Sequence, residues 1–372
     1  MSGPLSDIKV LDFSTLLPGP MATLFLAEAG AEVIKIERPG RGDEMRTYVP
    51  RWGDTSINFA MLNRGKKSIA IDLKDEAERA RLMPLIAEAD VIIEQFRPGV
   101  MDRLGLGFDD IKRVKPDIIY CAITGYGQNG PKRDVAGHDL NYIGDAGLLA
   151  LSTGPDERPV VPPALIADIA AGSYPAVINI LLALRERDRT GAASYLDIAM
   201  ADNLFPFMYW AIGNGLGASQ WPGNGDALVT GGSPRYQIYP TSDGKMLAAA
   251  PIEPKFWQAF CDAIDLEENL RDDTRAAHKT RSRVAEIIAA QPADHWRQVF
   301  IKADCCCSIV QSIEQAMTDP QFKARGLFDR QISGADGETL TALPLPLVPG
   351  LREKAESRGA PDLGADNATY LT

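Results

Sequence analysis

The first 125 residues alternate short apolar strands with helices, and no other pattern in the chain limits its fold so tightly. Residues 8–13, "IKVLDF", read as a buried strand. The helix signal "GPMATLFLAEAG" follows, with Pro20 near its first turn and Gly30 just past its end. "AEVIKIE" is the next strand, so the chain opens β-α-β. "SIAIDL", a helix over 76–88, "DVIIEQF" and "DIIYCAITGYG" continue the alternation. Strands separated by helices point to an α/β fold with a parallel, doubly wound, Rossmann-like sheet. The first strand-to-helix turn is "STLLPGPMAT", which lacks G-x-G-x-x-G. No nicotinamide or flavin is therefore expected at that turn.

Beyond the first half, residues 166–187 read as a long helix, apolar on most sides and expected to be central. "SYLDIAM" is a further strand, and a helix begins near 201. Residues 213–234 are rich in Gly, Ser and Pro and read as a linker. "YQIYPTSDGKMLAAAP" carries a hairpin signal around Ser242-Asp243-Gly244, and three helices follow. The expected organisation is a large domain over 1–212, the linker, a small α+β domain over 235–328, and a return to the large domain over 329–372.

The chain has 372 residues and a formal charge of −11. That charge disfavours nucleic acid and anionic membranes, which need a positive field, but leaves room for a local basic pocket. No run reaches the ~20 apolar residues that span a bilayer. The longest, over 176–184, is interrupted by Asn179. The opening "MSGPLSDIKV" has no signal-peptide character. The five cysteines form no CxxC pair and are expected to be reduced thiols of a cytoplasmic protein. The run Cys305-Cys306-Cys307 reads as buried small apolar residues near a strand, with no partners placed for a metal.

In open α/β sheets ligands gather at the carboxyl ends of strands. Arg38, Arg41 and Arg46 follow the second strand; Arg64, Lys66 and Lys67 precede the third; Arg97 follows another. Such clusters suit a phosphate-bearing ligand, or are ordinary solubility charge. His138 in "AGHDLNY" is the only histidine before residue 278. It is either a proton carrier or a loop imidazole beside a helix capped by Asp139. Asp168 lies among apolar residues, where a carboxylate must cap, pair or act. Helix-start placement would lower its pKa. Glu253, in "IEPKFW", is a helix-entry residue or a functional acid.

Together these segments resemble the class III coenzyme A-transferase (CaiB/BaiF) superfamily, and within it the α-methylacyl-CoA racemases. The residues that carry the resemblance include "LDFSTLLPGPMATLFLAEAGAEVIKIERPGRGD", "NRGKKSIAIDLK", "FRPGVMDRLGLGFDDI", "ITGYGQNGP", "AGHDLNY", "ADIAAGSYPAVINILLALRERDRTGAASYLDIAMAD" and "IEPKFW", in family order over nearly the whole chain. The resemblance implies an interlocked homodimer whose site lies between the large domain of one chain and the small domain of the other. It implies an acyl-CoA thioester substrate and no further cofactor. CoA would be held by Arg38, Arg64, Arg97, Tyr126 and Lys132, with Asp139 and Tyr142 at the pocket. Asp168 would be the nucleophile of a transferase or one of two bases of a racemase. His138 would be the other base, oriented by Glu253 of the partner chain. With all three positions filled, the expected activity is inversion of C2 of a 2-methylacyl-CoA; the alternative is transfer of CoA between carboxylic acids through Asp168. One departure is Ala164, where racemases of this group carry Asn. The lost amide bears on how Asp168 or the thioester oxygen is held.

Overall fold

The strands foreseen in the first 200 residues join one sheet. In chain order they are β1 (Lys9–Asp12), β2 (Glu32–Glu37), β3 (Lys67–Ala70), β4 (Val91–Glu94), β5 (Ile119–Thr124) and β6 (Ser194–Ala199). Their order across the sheet is β3-β2-β1-β4-β5-β6, with every pairing parallel. This is the doubly wound order of a Rossmann-like fold. The computed structural model describes residues 3–152, 154, 158–334, 337–353 and 357–371.

The order reverses between β1 and β4, so the loops leaving those strands diverge and open a crevice at their carboxyl ends. Helix α1 (Pro18–Glu28) follows β1 and is buried throughout its length. Its prolines occupy first-turn positions, where no intrahelical N–H is needed. Gly19 is required there: a Cβ would collide with the Ser14 side chain. One apolar cluster packs Leu11, Ile34, Ile69 and Ile92 with Leu82 and Ile86 of α2 (Glu76–Glu88). Another packs Met21, Leu24 and Phe25 of α1 with Phe59 and Leu345.

The turn that lacks the glycine fingerprint is held by buried charge instead. Asp12, at the end of β1, accepts from the Ser14 N–H (3.0 Å), Thr23 Oγ1 (2.6 Å) and Lys66 Nζ (3.1 Å). Lys35 pairs with Asp43 at 2.9 Å and donates to the Ser14 carbonyl. All four ionic side chains are fully enclosed. Burial alone would raise the Asp12 carboxyl, but Lys66 and Lys35 outweigh it and hold it down at about 2. Asp43 also accepts the Leu16 N–H, fixing Leu16 at φ +62°. A leucine in that left-handed region is strained, and the buried carboxylate keeps it there.

Three sequence expectations for this region are corrected. Arg64 is not available to a phosphate: it is buried against Glu28 (3.0 Å) and donates to the Met61 and Leu343 carbonyls at 2.7 and 2.8 Å. Lys66 is likewise internal, and Arg46 is committed to Glu37 through two 2.7 Å bonds. Their charges build the scaffold.

After the short helix α3 (Asp139–Asp145), the long helical region begins with a single turn, Ile166–Asp168. A π-helical stretch, Ile169–Ser173, leads into α4 (Tyr174–Thr190). Tyr174, Ile178, Leu181 and Leu182 of α4 are exposed, so the helix is not apolar-packed on most sides as expected. The continuous stretch Ile166–Thr190 is long and apolar enough to cross a membrane by length and composition, a test that core helices also pass.

The chain divides into two compact units. The first comprises residues 1–146, 163–206 and 320–372; the second comprises 147–162 and 207–319. Residues 147–162 thus fall with the second unit rather than the first, and the return begins at Pro320 rather than at 329. Part of the expected linker is helical: α5 (Tyr209–Ala218) carries three of its glycines, and Gly215 packs so closely on Trp221 that a Cβ would collide with the indole. The second unit pairs β7 (Gln237–Pro240), β8 (Met246–Ala249) and β9 (Cys307–Ile309) in one antiparallel sheet. Its helices are α6 (Pro254–Ala263), α7 (Asp273–Ala289) and α8 (Ala293–Ala303). Stacked rings of Trp257, Phe260, Phe300 and Trp296 form its core.

Candidate active site

The crevice at the strand-order reversal is a cavity of about 420 Å³. Leu16 and Pro18 line it from the β1 exit, Gln95 and Arg97 from the β4 exit, and Tyr126 from the β5 exit. His138, Tyr142 and Asp168 line it too, so the structure brings the two candidate acid/bases to one cavity.

His138 directly precedes α3. Its backbone N–H donates to Asn141 Oδ1 at 3.0 Å, and its imidazole side is exposed. Asp139 does not cap α3, because it is the first helical residue. It is buried outside the cavity lining, and its Oδ2 accepts the Asp168 N–H at 2.9 Å. This bond joins residues far apart in sequence and fixes the Asp168 turn beside His138. Asp168 itself stands where α-helical geometry gives way to the π stretch, a distortion frequent at functional sites. Ser173 Oγ lies 2.8 Å from the Pro18 carbonyl and 3.1 Å from that of Asp168, tying this stretch to the start of α1.

Burial, and then the like charge of Asp139, push the Asp168 carboxyl up to about 6, against the pull of His138. The direction is opposite to the lowering expected from a helix start. The environment outweighs the dipole because the carboxyl is largely withdrawn from water beside a second acid.

The remaining expected binding residues divide. The Tyr142 hydroxyl donates to the Gly137 carbonyl, and its ring packs so closely on Gly125 that a Cβ there would collide with it. Tyr126 lies edge-to-face with Tyr142 at 5.2 Å and donates to Asp145. Burial chiefly pushes both phenols up to about 12, so both remain protonated donors. Lys132 is outside the cavity lining and pairs with Asp145 at 2.8 Å on the surface. Arg97 is exposed at the cavity. Arg38 and Lys74 line a second cavity of about 650 Å³ walled by Phe13, Ile36, Ile71 and Leu73. Phe96 borders both cavities. Glu253 lies in the second unit, exposed at the start of α6, with no cap bond from its side chain.

Three residues escaped the sequence reading. Gln95 Oε1 accepts the Gly19 N–H at 3.0 Å on the cavity wall. Glu94 is buried at the end of β4, where desolvation chiefly raises its carboxyl to about 8. Arg133, beside Lys132 in sequence, lines the cavity that Lys132 does not. The position of Glu94 and Gln95 at a strand's carboxyl end was a usable signal; for Arg133 there was none. The backbone amides at the two helix starts beside the cavity are committed: Gly19 to Gln95, and Asp168 to Asp139.

The pattern that defines CoA-transferase family III matches residues 5–367. The acetyl-CoA:oxalate CoA-transferase of Acetobacter aceti is 31% identical, over 98% of this chain and 94% of that protein. The α-methylacyl-CoA racemase of Mus musculus is 32% identical, over 99% and 92%. The crystal structure of a CAIB/BAIF family protein from Brucella suis superposes with a TM-score of 0.82 at 30% identity, over 99% of this chain and 98% of that one. The chain belongs to CoA-transferase family III and is an enzyme of that family. Both racemases and CoA-transferases are among its relatives.

Proposed function

We propose that the protein is an acyl-CoA racemase or epimerase that inverts C2 of a 2-methylacyl-CoA by two-base proton transfer. The observation that carries this reading is the presence of His138 on the same cavity as Asp168. A transferase needs only the carboxylate, as nucleophile. Racemisation needs a second proton carrier on the other face of C2.

The Asp168 carboxyl, at about 6, exists in both protonation states near neutral pH and suits either half of the reaction. In one direction Asp168 removes the C2 proton and the His138 imidazolium delivers one from the opposite side; in the other the roles exchange. The enolate oxygen needs a donor. Gln95 fits: its carbonyl is anchored by Gly19, which leaves the amide N–H pair as its donor group on the wall. CoA would run from Arg97 at the reacting cavity past Phe96 to Arg38, whose apolar-walled cavity suits a base with flanking phosphates.

His138 is exposed in the single chain, and it is its backbone N–H that bonds to Asn141. A second copy would supply Glu253, which stands exposed on its own unit. The exposed apolar stripe of α4, at i, i+4, i+7 and i+8, supports such an assembly, because an uncovered stripe of that kind calls for a partner surface.

Incubation with a 2-methylacyl-CoA in deuterated water, without an acceptor acid, tests the proposal. Deuterium is expected to enter C2. No uptake, with CoA transfer once a carboxylic acid is added, would establish the transferase reading instead.

A further inference from the structure

The Cys305-Cys306-Cys307 run is not absorbed by the acyl-CoA chemistry, and its geometry is specific. Cys305 is buried in the core of the second unit, whereas Cys306 is exposed and Cys307 is half-buried as the first residue of β9. The uniform burial expected for the run therefore fails at its centre. Cys306 has φ +59°, which for a non-glycine residue means the left-handed helical region. Its carbonyl accepts the Ala250 N–H at 3.0 Å, and that bond holds the turn against the strand before Glu253.

A residue in that conformation folds its two neighbours toward each other. Helical geometry sets the Cα atoms of residues i and i+2 about 5.5 Å apart, against roughly 6.5 Å or more in an extended strand. The shorter distance lies at the mode for disulfides, whereas a strand pair sits near the limit. The side chains agree. The Cys307 Sγ lies 3.6 Å from the Cys305 carbonyl, so the Cys307 side chain folds back onto Cys305. The Cys307 side chain chiefly lowers the Cys305 thiol, and Cys305 chiefly raises that of Cys307. Cys306 points to solvent, where Glu253 adds to burial in raising it.

We propose that Cys305 and Cys307 form a reversible dithiol–disulfide couple that exchanges with small-molecule disulfides such as glutathione disulfide. The half-exposed Cys307 is the entry sulfur. It attacks one sulfur of glutathione disulfide, its proton passing to the departing glutathione thiolate. Cys305 then gives up its proton and attacks the Cys307 sulfur, breaking the mixed disulfide and expelling the second glutathione as a thiolate, which takes up that proton. The two cysteines lose two electrons and two protons, and one glutathione disulfide becomes two glutathiones. Cys306 is excluded as a partner, because adjacent cysteines must close a strained eight-membered ring. Cys121 lies in β5 of the first unit, and Cys261 is packed into the α6 core.

The test uses the full chain, equilibrated in glutathione buffers from reduced to oxidised, acid-quenched, and alkylated in denaturant. Two of the five thiols are expected to vanish together, the peptide spanning the run losing two hydrogens, with recovery by dithiothreitol. The loss should persist in Cys306→Ser and disappear in Cys307→Ser, a change at a half-exposed position. Circular dichroism checks that each variant is folded. The couple is overturned if all five thiols stay alkylatable at every ratio, if only glutathione adducts accumulate, or if the loss survives Cys307→Ser. No catalytic readout is involved, so failure here and failure of the racemase reading are separate results.

Discussion

Asp139→Asn should move the pH dependence of catalysis without dismantling the site. The asparagine keeps an oxygen that can accept the Asp168 N–H, now 2.9 Å away, but removes the negative charge that helps raise the Asp168 carboxyl. Burial is the larger cause of that rise to about 6 and stays in place. Asp168 should therefore fall by about one pKa unit, a coupling of ~1.4 kcal/mol. For the substrate enantiomer whose proton Asp168 removes, the rate follows the ionised fraction. With a drop from about 6 to about 5, that fraction at pH 5 rises from roughly a tenth to a half, so exchange should quicken about five-fold. At pH 8 both forms are fully ionised and the rates should agree. The assay is deuterium incorporation at C2, followed by mass spectrometry from pH 4.5 to 8.5. An acidic limb that stays in place, or moves to higher pH, would refute the assignment of Asp139 as the charge that tunes Asp168.

Other outcomes follow from the same geometry. Asp168→Asn should stabilise the fold by ~1–2 kcal/mol at pH 7.5, read by urea unfolding. The sign is that of an acid with a raised folded pKa: it burdens the fold fully above about 6, and the burden fades as pH falls from about 6 to about 4. The gain should accordingly vanish at pH 4. Lys66→Met should cost ~3–5 kcal/mol, since it strands Asp12 in a fully enclosed pocket, and the loss should appear in the urea midpoint. Arg97→Ala should raise KM for acyl-CoA about ten-fold or more with little change in kcat, and weaken the dependence of KM on salt.

The strands of the large unit were legible because a parallel sheet buried on both faces leaves near-continuous apolar runs, as in the wholly buried β5. Glycine content hid α5, since Gly213, Gly215 and Gly217 are poor helix formers. Packing of Trp221 onto Gly215 overrides that propensity, and no local pattern announces it. Arg64 was misassigned for a related reason. Its role depends on Glu28, 36 residues away on α1, and a cation on a loop reads the same whether it faces solvent or a buried acid. His138 and Asp168 could be singled out as chemically unusual in the sequence. Their convergence could not be derived from spacing, because it rests on one bond from the Asp168 N–H to Asp139 and on the strand order that opens the crevice.

The central claim is that His138 and Asp168 act as opposed bases on one carbon. Deuterium exchange of the two separate C2 enantiomers, in wild type and in His138→Ala and Asp168→Ala, tests it most directly. Wild type should label both enantiomers and bring each to the same mixture. Each variant should lose proton removal from one enantiomer by a factor of ~100 or more, and the two variants should differ in which one they lose. Equal loss for both enantiomers in both variants would contradict the account. So would full exchange in His138→Ala.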